Sequence, residues 1–260
     1  MNWIEALILG LLQGLTEFLP VSSSGHLELG KVLLGIETRE TLLFTVVVHG
    51  ATVLSTIFVF RKDLLKLASD SLRLPWNESH SYLLKLLISM VPVVFLGLFF
   101  KDEIEQFFTG RVIFVGIMLL ITASLLASTY IRKSNKRSIG YIDGLIIGIA
   151  QAFAVLPGIS RSGATISAGL LLGNKREEVT RFSFLMVLVP IIGANLKDIY
   201  DTGLAGMESI GIMPLLVGFL AAFVSGLLAC KWMIGIVKKG GLVWFAIYCA
   251  IIGLLAIILG

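Results

Sequence analysis

The chain has 260 residues, of which 57% are hydrophobic and 15% are charged, with a mean hydropathy of +0.95 and a net charge of +4. Soluble domains are about half apolar and a quarter charged, so this composition indicates an integral membrane protein and excludes a sizeable soluble domain. No basic run is interleaved with aromatic residues, so nucleic acid is not expected as a partner.

The first apolar segment, residues 2–19, is followed by polar residues rather than by a loop outside the membrane. It ends at Pro20, and the polar stretch Ser22–His26 and a short helix over 27–36 come next. Neither apolar piece is long enough to span a bilayer alone. We therefore predict a re-entrant helix-loop-helix hairpin, whose irregular backbone must be covered by protein or by a water-filled cavity.

The rest of the chain predicts six transmembrane helices and a second hairpin. The six apolar segments are 42–60, 84–100, 111–131, 182–200, 210–230 and 241–259. Between the third and the fourth lies another broken segment, which is apolar over 139–157, polar over 158–165 and helical over 166–173. The predicted fold is an all-α polytopic membrane protein, with residues 1–260 forming one integral membrane domain.

The two halves of the chain resemble each other when they are offset by 138 residues. The aligned pairs include Gln13 with Gln151, Ser22 with Ser160, Ser24-Gly25 with Ser162-Gly163, and Glu40 with Glu178. This register predicts internal repeats over about residues 2–131 and 139–260. Each copy contains three spans, an odd number, so the second copy is predicted to be inverted relative to the first.

Lysine and arginine are unequally distributed between the two predicted sides of the membrane. Fourteen of them lie in the segments 61–83, 132–138, 174–181 and 231–239, including Arg132, Lys133 and Lys136. The opposite side has five, namely Lys31, Arg39, Lys101, Arg111 and Lys197. Cytoplasmic loops have the excess, so both chain ends are predicted to lie outside and the two hairpins to enter from opposite sides.

Residues 20–26, which we call the first joint, follow an acidic residue at membrane depth. Gln13 and Glu17 are four residues apart and share one helix face. A carboxylate within a membrane indicates either a functional site or an ion pair with an arginine. Ser22, Ser23 and Ser24 supply hydroxyls, one of which is expected to cap the next helix, and His26 lies in the first turn of that helix.

Residues 158–165, the second joint, contain Arg161, the arginine that is predicted to lie deepest in the membrane. Its planar guanidinium suits phosphate oxygens, and it could equally pair with Glu17. The helix starts at both joints add backbone N–H groups, which bind anions. Together the joints predict a site for a phosphate or diphosphate, best suited to a lipid-linked one whose tail stays in the hydrocarbon.

The segments Gln13–His26 and Leu156–Thr165 resemble the two signatures of the bacterial undecaprenyl-diphosphatase family, the bacitracin-resistance proteins. Arg181–Met186 resembles a further conserved segment of that family, and the resemblance covers essentially the whole chain. It implies a multi-pass enzyme of the bacterial inner membrane that hydrolyses undecaprenyl diphosphate to the monophosphate and phosphate. This reaction recycles the carrier lipid of cell-wall peptidoglycan synthesis. The resemblance also implies a divalent cation, Mg²⁺ or Ca²⁺, and an active site that faces outward.

The predicted site residues combine this resemblance with the chemistry of the joints. Glu17, Ser23, His26 and Arg161 are the predicted catalytic residues, and Glu17 is also the predicted metal ligand. The predicted substrate-binding residues are Gln13, Ser22, Ser24, Gly25, Ser160, Ser162, Gly163 and Thr165. The family's first motif is written Glu/Gln-x-x-x-Glu, and this chain has the Gln form. A homodimer is a further expectation, although the sequence does not determine the oligomeric state.

Two questions stay open at the level of sequence. The nucleophile is Ser23, His26 or an activated water, and a proton leaving Ser23 could go to His26 or Glu17. The main alternative function is a secondary transporter or flippase for a phosphate-bearing lipid, since inverted repeats with broken helices are typical of transporters. A lipid phosphatase of the acid-phosphatase type fits less well, because the remaining histidines, His49 and His80, do not supply its His–Asp pair.

Overall fold

The computed structural model describes residues 1–35, 42–100, 103–104, 106–108, 111–131, 137–202 and 210–260. These residues form helices and no named strand, apart from one isolated bridge between Arg137 and Asn174. The α-helices are α1 Trp3–Phe18, α2 Ser23–Leu34, α3 Leu42–Val59, α4 Arg61–Ser71, α5 Glu78–Phe99, α6 Val112–Ile131, α7 Tyr141–Phe153, α8 Arg161–Leu171, α9 Arg176–Met186, α10 Leu188–Thr202, α11 Ile212–Lys239 and α12 Leu242–Leu259.

Within this part of the chain, five helical segments are long and apolar enough to cross a membrane. They are α5, α6, the α9–α10 segment Arg176–Tyr200, α11 and α12. The pair α3–α4 is a sixth candidate, with a bend of 72° between its two helices. The chain is therefore an all-α, multi-pass membrane protein, as predicted, and both predicted broken segments contain two short helices separated by a break.

Several predicted helix boundaries are wrong, because polar residues assigned to loops cap or extend helices instead. The helices after the joints begin at Ser23 and Arg161 rather than at residues 27 and 166, since Ser22 and Ser160 are their N-caps. Asn77 caps α5, which begins at Glu78, six residues before the predicted start at 84. Helix α11 continues past the predicted end at 230 to Lys239 and stops only at Gly240, which has a φ of 78°.

Helices of the two halves pack against each other across the molecule. Helix α1 packs on α11, α7 packs on α5, and α6 packs on α12. Helix α1 approaches α11 so closely that a Cβ at Gly14 would lie 2.5 Å from the carbonyl oxygen of Ala222. The inverted repeat and its orientation stay predictions. Their supporting residues Arg39, Glu40, Lys101, Arg132, Lys133 and Lys136 lie outside the described residues.

The second hairpin, α7 and α8, is anchored at its base by a buried carboxylate. Arg137 Nη2 donates to both oxygens of Asp143, at 2.7 and 2.8 Å. Asn174 Nδ2 donates to Asp143 Oδ2 at 3.1 Å, and the Ile139 N–H donates to Glu178 Oε1 at 3.0 Å. These bonds connect the start of α7 to the turn before α9, and thereby fix where α8 and the second joint lie.

Candidate active site

The two joints have the same local construction. Ser22 Oγ accepts the N–H of Gly25 at 3.3 Å, and Ser160 Oγ accepts the N–H of Gly163 at 3.1 Å. Each serine is thus the N-cap of the helix that follows, which satisfies one of the N–H groups left free at a helix start. The predicted serine cap is confirmed, and α2 and α8 both begin at the site.

The two joints lie directly against each other. The N–H of Gly158 donates to Ser22 Oγ at 3.2 Å, and Ser162 Oγ donates to the carbonyl oxygen of Leu19 at 3.3 Å. A Cβ added at Gly25 would lie 3.0 Å from the Cα of Gly158, so the backbones touch where both residues are glycine. Polar groups from the two halves of the chain therefore meet in one place.

Glu17 is the centre of this meeting point. Its Oε1 lies 3.4 Å from Arg161 Nη2, and its Oε2 accepts hydrogen bonds from Ser23 Oγ at 2.6 Å and Gln13 Nε2 at 3.0 Å. Only 9% of the Glu17 side chain is exposed, against 28% for Arg161. The carboxylate of the first joint and the guanidinium of the second are thus paired, and Glu17 Oε2 is placed to take a proton from Ser23.

His26 is close to this centre but is bonded elsewhere. Its Nδ1–H donates to the carbonyl oxygen of Ser22 at 2.8 Å, and its Nε2 lies 2.9 Å from the hydroxyl of Tyr248. In the neutral ring, Nε2 then accepts the tyrosine proton. The two rings also stack, with centroids 5.6 Å apart. Because both ring nitrogens are engaged, the geometry favours Glu17 over His26 as the acceptor of the Ser23 proton.

Three residues at the site were given no role by the sequence. Tyr248 is the hydrogen-bond partner of His26. Thr122 holds the second joint, because its hydroxyl donates to the carbonyl oxygen of Gly158 and accepts the N–H of Ser160, both at 3.0 Å. His49 Nε2 lies 3.9 Å from Glu17 Oε2, so this histidine also lies at the site. All three are polar residues within apolar segments, and that contrast is the signal that could have singled them out.

The other predicted substrate-binding residues line or support the joints. Ser22 and Ser24 lie with their hydroxyls 3.4 Å apart, as do Ser160 and Ser162 at 3.3 Å. Thr165 Oγ1 is buried and donates to the carbonyl oxygen of Arg161 at 2.9 Å. Most of these hydroxyls hold local backbone, and their contact with a substrate stays a prediction.

Glu17 and Arg161 line two cavities. We call the first the serine cavity, and its other lining residues are Thr16, Ser22, Ser23, Ser24, Ala154, Ile159 and Ser160. We call the second the apolar-walled cavity, and its other lining residues are Phe18, Thr52, Val53, Thr56, Ser162, Ser183, Phe184, Val187, Leu188 and Ile191. The charged pair is thus shared by a hydroxyl-rich space and a largely apolar one.

The site offers oxygen atoms to a hard cation but no protein cage for one. Among the described residues, no group of three or more His, Cys, Asp and Glu side chains could hold a metal ion. Gln13 Oε1 is buried and has no hydrogen-bond partner, although the amide nitrogen of the same side chain binds Glu17. A carboxylate beside a free amide oxygen fits Mg²⁺ or Ca²⁺, provided that most of the remaining ligands come from phosphate or water.

Comparison with known proteins agrees with the motifs. Residues 6–255 match the family described as bacitracin resistance protein BacA. The chain is 54% identical to the undecaprenyl-diphosphatase of Parabacteroides distasonis over 99% of this chain and 98% of that protein. It is 53% identical to that of Bacteroides fragilis, covering 99% and 98%, and 39% identical to that of Carboxydothermus hydrogenoformans, covering 100% and 98%. The chain therefore belongs to the bacitracin resistance protein BacA family.

Proposed function

We propose that this protein hydrolyses undecaprenyl diphosphate to undecaprenyl phosphate and inorganic phosphate, and so recycles the carrier lipid of cell-wall synthesis. The observation that supports it best is the 2.6 Å hydrogen bond from Ser23 to Glu17, with Arg161 at 3.4 Å on the other carboxylate oxygen. This arrangement has a hydroxyl nucleophile, its base and an anion-binding cation in contact. Relatives that are 52–54% identical to this chain are named for the same activity.

In the first proposed step, Ser23 Oγ attacks the terminal phosphorus of the substrate. Its proton moves to Glu17 Oε2, the bond to the bridging oxygen breaks, and undecaprenyl phosphate leaves. Arg161 is freed from Glu17 as the carboxylate becomes neutral, so its guanidinium can bind the charge that develops on the phosphate oxygens. This exchange of partners explains why a carboxylate and an arginine are paired before the substrate binds.

In the second proposed step, water attacks the phosphoserine and releases inorganic phosphate. Glu17 returns its proton to Ser23 Oγ as the P–O bond breaks, while the water supplies the fourth oxygen of the phosphate and loses a proton to solvent. The sum of both steps consumes one water and leaves the protein unchanged. His26 takes no proton in this route, because its ring nitrogens are bonded to Ser22 and Tyr248.

A divalent cation is part of the proposal. Glu17 and the free Gln13 Oε1 would hold it, with the diphosphate supplying further ligands. When bound, the cation would neutralise charge on the diphosphate and polarise its phosphoryl oxygens.

The cellular setting is proposed on the same basis. The multi-pass helical fold and the family match support a membrane location. We place the protein in the bacterial cell (inner) membrane, with an active site that opens outward, because the lysine and arginine distribution predicts that orientation for the first hairpin. A homodimer stays a prediction, which molecular mass measured by light scattering in detergent would test.

The transport alternative is less well supported than hydrolysis. A transporter for a lipid phosphate needs the arginine and the helix N-termini, but it needs neither Ser23 nor a base that accepts its proton. The relatives compared above are named as diphosphatases.

Phosphate release from undecaprenyl diphosphate by the purified protein in detergent tests the proposal. We expect release that depends on added Mg²⁺ or Ca²⁺ and stops in Ser23→Ala. Release at the wild-type rate by Ser23→Ala would contradict the serine route. No release by the wild type with either cation would contradict the proposed function and favour transport.

A further inference from the structure

The apolar-walled cavity is lined by both charged and apolar groups. Glu17, Arg161 and Ser162 line it, and apolar surface comes from Val187, Leu188 and Ile191, at the junction of α9 with α10 and beyond it. Phe18, Val53 and Phe184 add to the apolar lining. A space lined by a guanidinium and by hydrocarbon side chains suits an anion that is attached to an apolar chain. The serine cavity lacks such walls, so the two cavities suit different parts of one molecule.

One hydroxyl in the apolar-walled cavity is without a partner. Ser183 is 4% exposed, and its Oγ is buried and makes no hydrogen bond with any described residue. A serine within a helix usually donates to the carbonyl oxygen of the preceding turn. The other hydroxyls of this cavity all bond to backbone: Thr52 donates to His49 O at 2.9 Å, Thr56 to Thr52 O at 3.0 Å and Ser162 to Leu19 O at 3.3 Å.

An unpaired buried hydroxyl costs free energy, so a ligand atom that accepts its proton would stabilise the complex. The cavity that Ser183 lines also contains Arg161, which attracts anions. Phosphate oxygens accept hydrogen bonds and carry negative charge, so they satisfy both groups at once.

We propose that the apolar-walled cavity holds the prenyl end of the substrate, and that Ser183 donates a hydrogen bond to the phosphate that carries the prenyl chain. The terminal phosphate then lies in the serine cavity beside Ser23, and Glu17 and Arg161 lie between the two phosphates. The first prenyl unit contacts Val187 and Ile191. This inference rests on the proposed function, because it assigns places to the two ends of the same substrate.

Ser183→Ala tests the hydrogen bond. The variant removes a hydroxyl that has no partner in the protein, so we expect an unchanged or higher unfolding temperature in detergent. A hydrogen bond to a charged group is worth about 1.5–3 kcal/mol, so kcat/KM for undecaprenyl diphosphate should fall roughly 10- to 100-fold. Ser89→Ala is the matched control, because Ser89 is equally buried but donates to Leu86 O at 2.7 Å; it should keep its kcat/KM within about twofold.

The results separate the possible explanations. Lower kcat/KM with no loss of unfolding temperature supports the substrate contact. An unchanged kcat/KM overturns it, and so does a loss of activity that is matched by a loss of unfolding temperature, since that pattern indicates a structural hydroxyl. If the wild type does not hydrolyse undecaprenyl diphosphate at all, the proposed function is wrong. That outcome differs from an active wild type whose kcat/KM is unchanged in Ser183→Ala, which contradicts this inference alone.

The prenyl part of the proposal is tested with Ile191→Phe and two short probes, farnesyl diphosphate and methyl diphosphate. The larger side chain should occupy space that the first prenyl unit needs, so kcat/KM for farnesyl diphosphate should fall about 10-fold or more. Methyl diphosphate has no prenyl unit, and its hydrolysis should be unaffected. An equal fall with both probes, or no fall with farnesyl diphosphate, would place the prenyl chain elsewhere.

Discussion

The two joints are alike in backbone and different in chemistry. In each, a serine caps a helix and accepts the N–H of the glycine three residues later, at Ser22 and Gly25 and again at Ser160 and Gly163. The first joint adds Ser23 and lies next to Glu17, whereas the second adds Arg161. The shared backbone brings two helix starts together, and the differing side chains make the pair of joints a site.

This difference shows how the roles are divided. In the proposed mechanism, the first hairpin contributes the nucleophile and the base, and the second contributes the fixed positive charge. Neither hairpin has all three, so the chemistry depends on contacts between the halves: the Glu17–Arg161 ion pair and the hydrogen bond from Gly158 to Ser22. Substitutions in the two joints and at the residues that contact them test this division of roles.

Glu17→Gln should have the largest effect. The amide cannot take the proton of Ser23, so we expect kcat to fall about 10³-fold, within the range for loss of a general base. Phosphate release from undecaprenyl diphosphate measures it. Glu28→Gln is the control, because Glu28 is also buried but pairs with Lys31 at 3.0 Å, in α2. An equal fall in kcat in Glu28→Gln would show that losing any buried carboxylate of this hairpin lowers activity, and would contradict a specific role for Glu17.

Arg161→Ala should have the next largest effect, a loss of about 10²-fold in kcat/KM from the missing anion contact. Arg161→Lys keeps the charge but not the planar fork, and should recover only part of the activity. Comparing the two variants in the phosphate-release assay separates charge from geometry. Full activity in Arg161→Ala would show that the first joint binds the diphosphate without the second.

The serine caps predict a difference in stability. Ser22 Oγ accepts two N–H groups and Ser160 Oγ accepts one, so Ser22→Ala should cost about 2 kcal/mol and Ser160→Ala about 1 kcal/mol. Ser22 also has a φ of 71°, which glycine adopts more easily. Ser22→Gly should therefore cost less than Ser22→Ala in denaturant unfolding. The reverse order would show that the backbone at Ser22 is not strained.

Tyr248→Phe should have the smallest effect. It removes only the hydroxyl that bonds His26 Nε2, and so loosens a ring whose Nδ1–H holds the carbonyl oxygen of Ser22 beside Ser23; we expect a roughly 3- to 10-fold fall in kcat with little change in KM. If Tyr248 acts through His26, the same substitution made in His26→Ala should cause no further loss. Additive losses would assign Tyr248 a separate role. Tyr130→Phe, at an exposed tyrosine of α6, is the control and should behave as the wild type.

The sequence predicts which segments are helical and where the two hairpins are interrupted by non-helical backbone. Hydrophobic length located the spanning segments, and polar residues after Pro20 and before Arg161 located both joints. Boundaries failed where polar residues served the helices themselves, as Asn77 does for α5 and Lys231 does within α11. Local polarity does not tell a cap or an interfacial lysine from a loop, because that depends on hydrogen bonds and on depth in the membrane.

The site could be predicted less completely. The sequence allows two roles for Arg161, namely binding phosphate oxygens and pairing with Glu17, because a buried carboxylate needs a cation. His26 was expected to be a candidate base, but its ring is turned towards Tyr248, which lies 222 residues further along the chain. Contacts of that kind depend on how α12 packs near the first joint, which no short motif encodes. The sequence does not single out Ser183 either, because its burial and its lack of a hydrogen-bond partner depend on how the helices pack.

The central claim is that Ser23 of the first joint attacks the substrate while Arg161 of the second binds it. Rapid-quench measurement with undecaprenyl diphosphate labelled in the terminal phosphate tests this most directly. We predict transient labelled phosphoserine at Ser23 in the wild type, slower labelling in Arg161→Ala and none in Ser23→Ala. Release of labelled phosphate with no labelled protein at any time point would contradict the account and indicate direct attack by water.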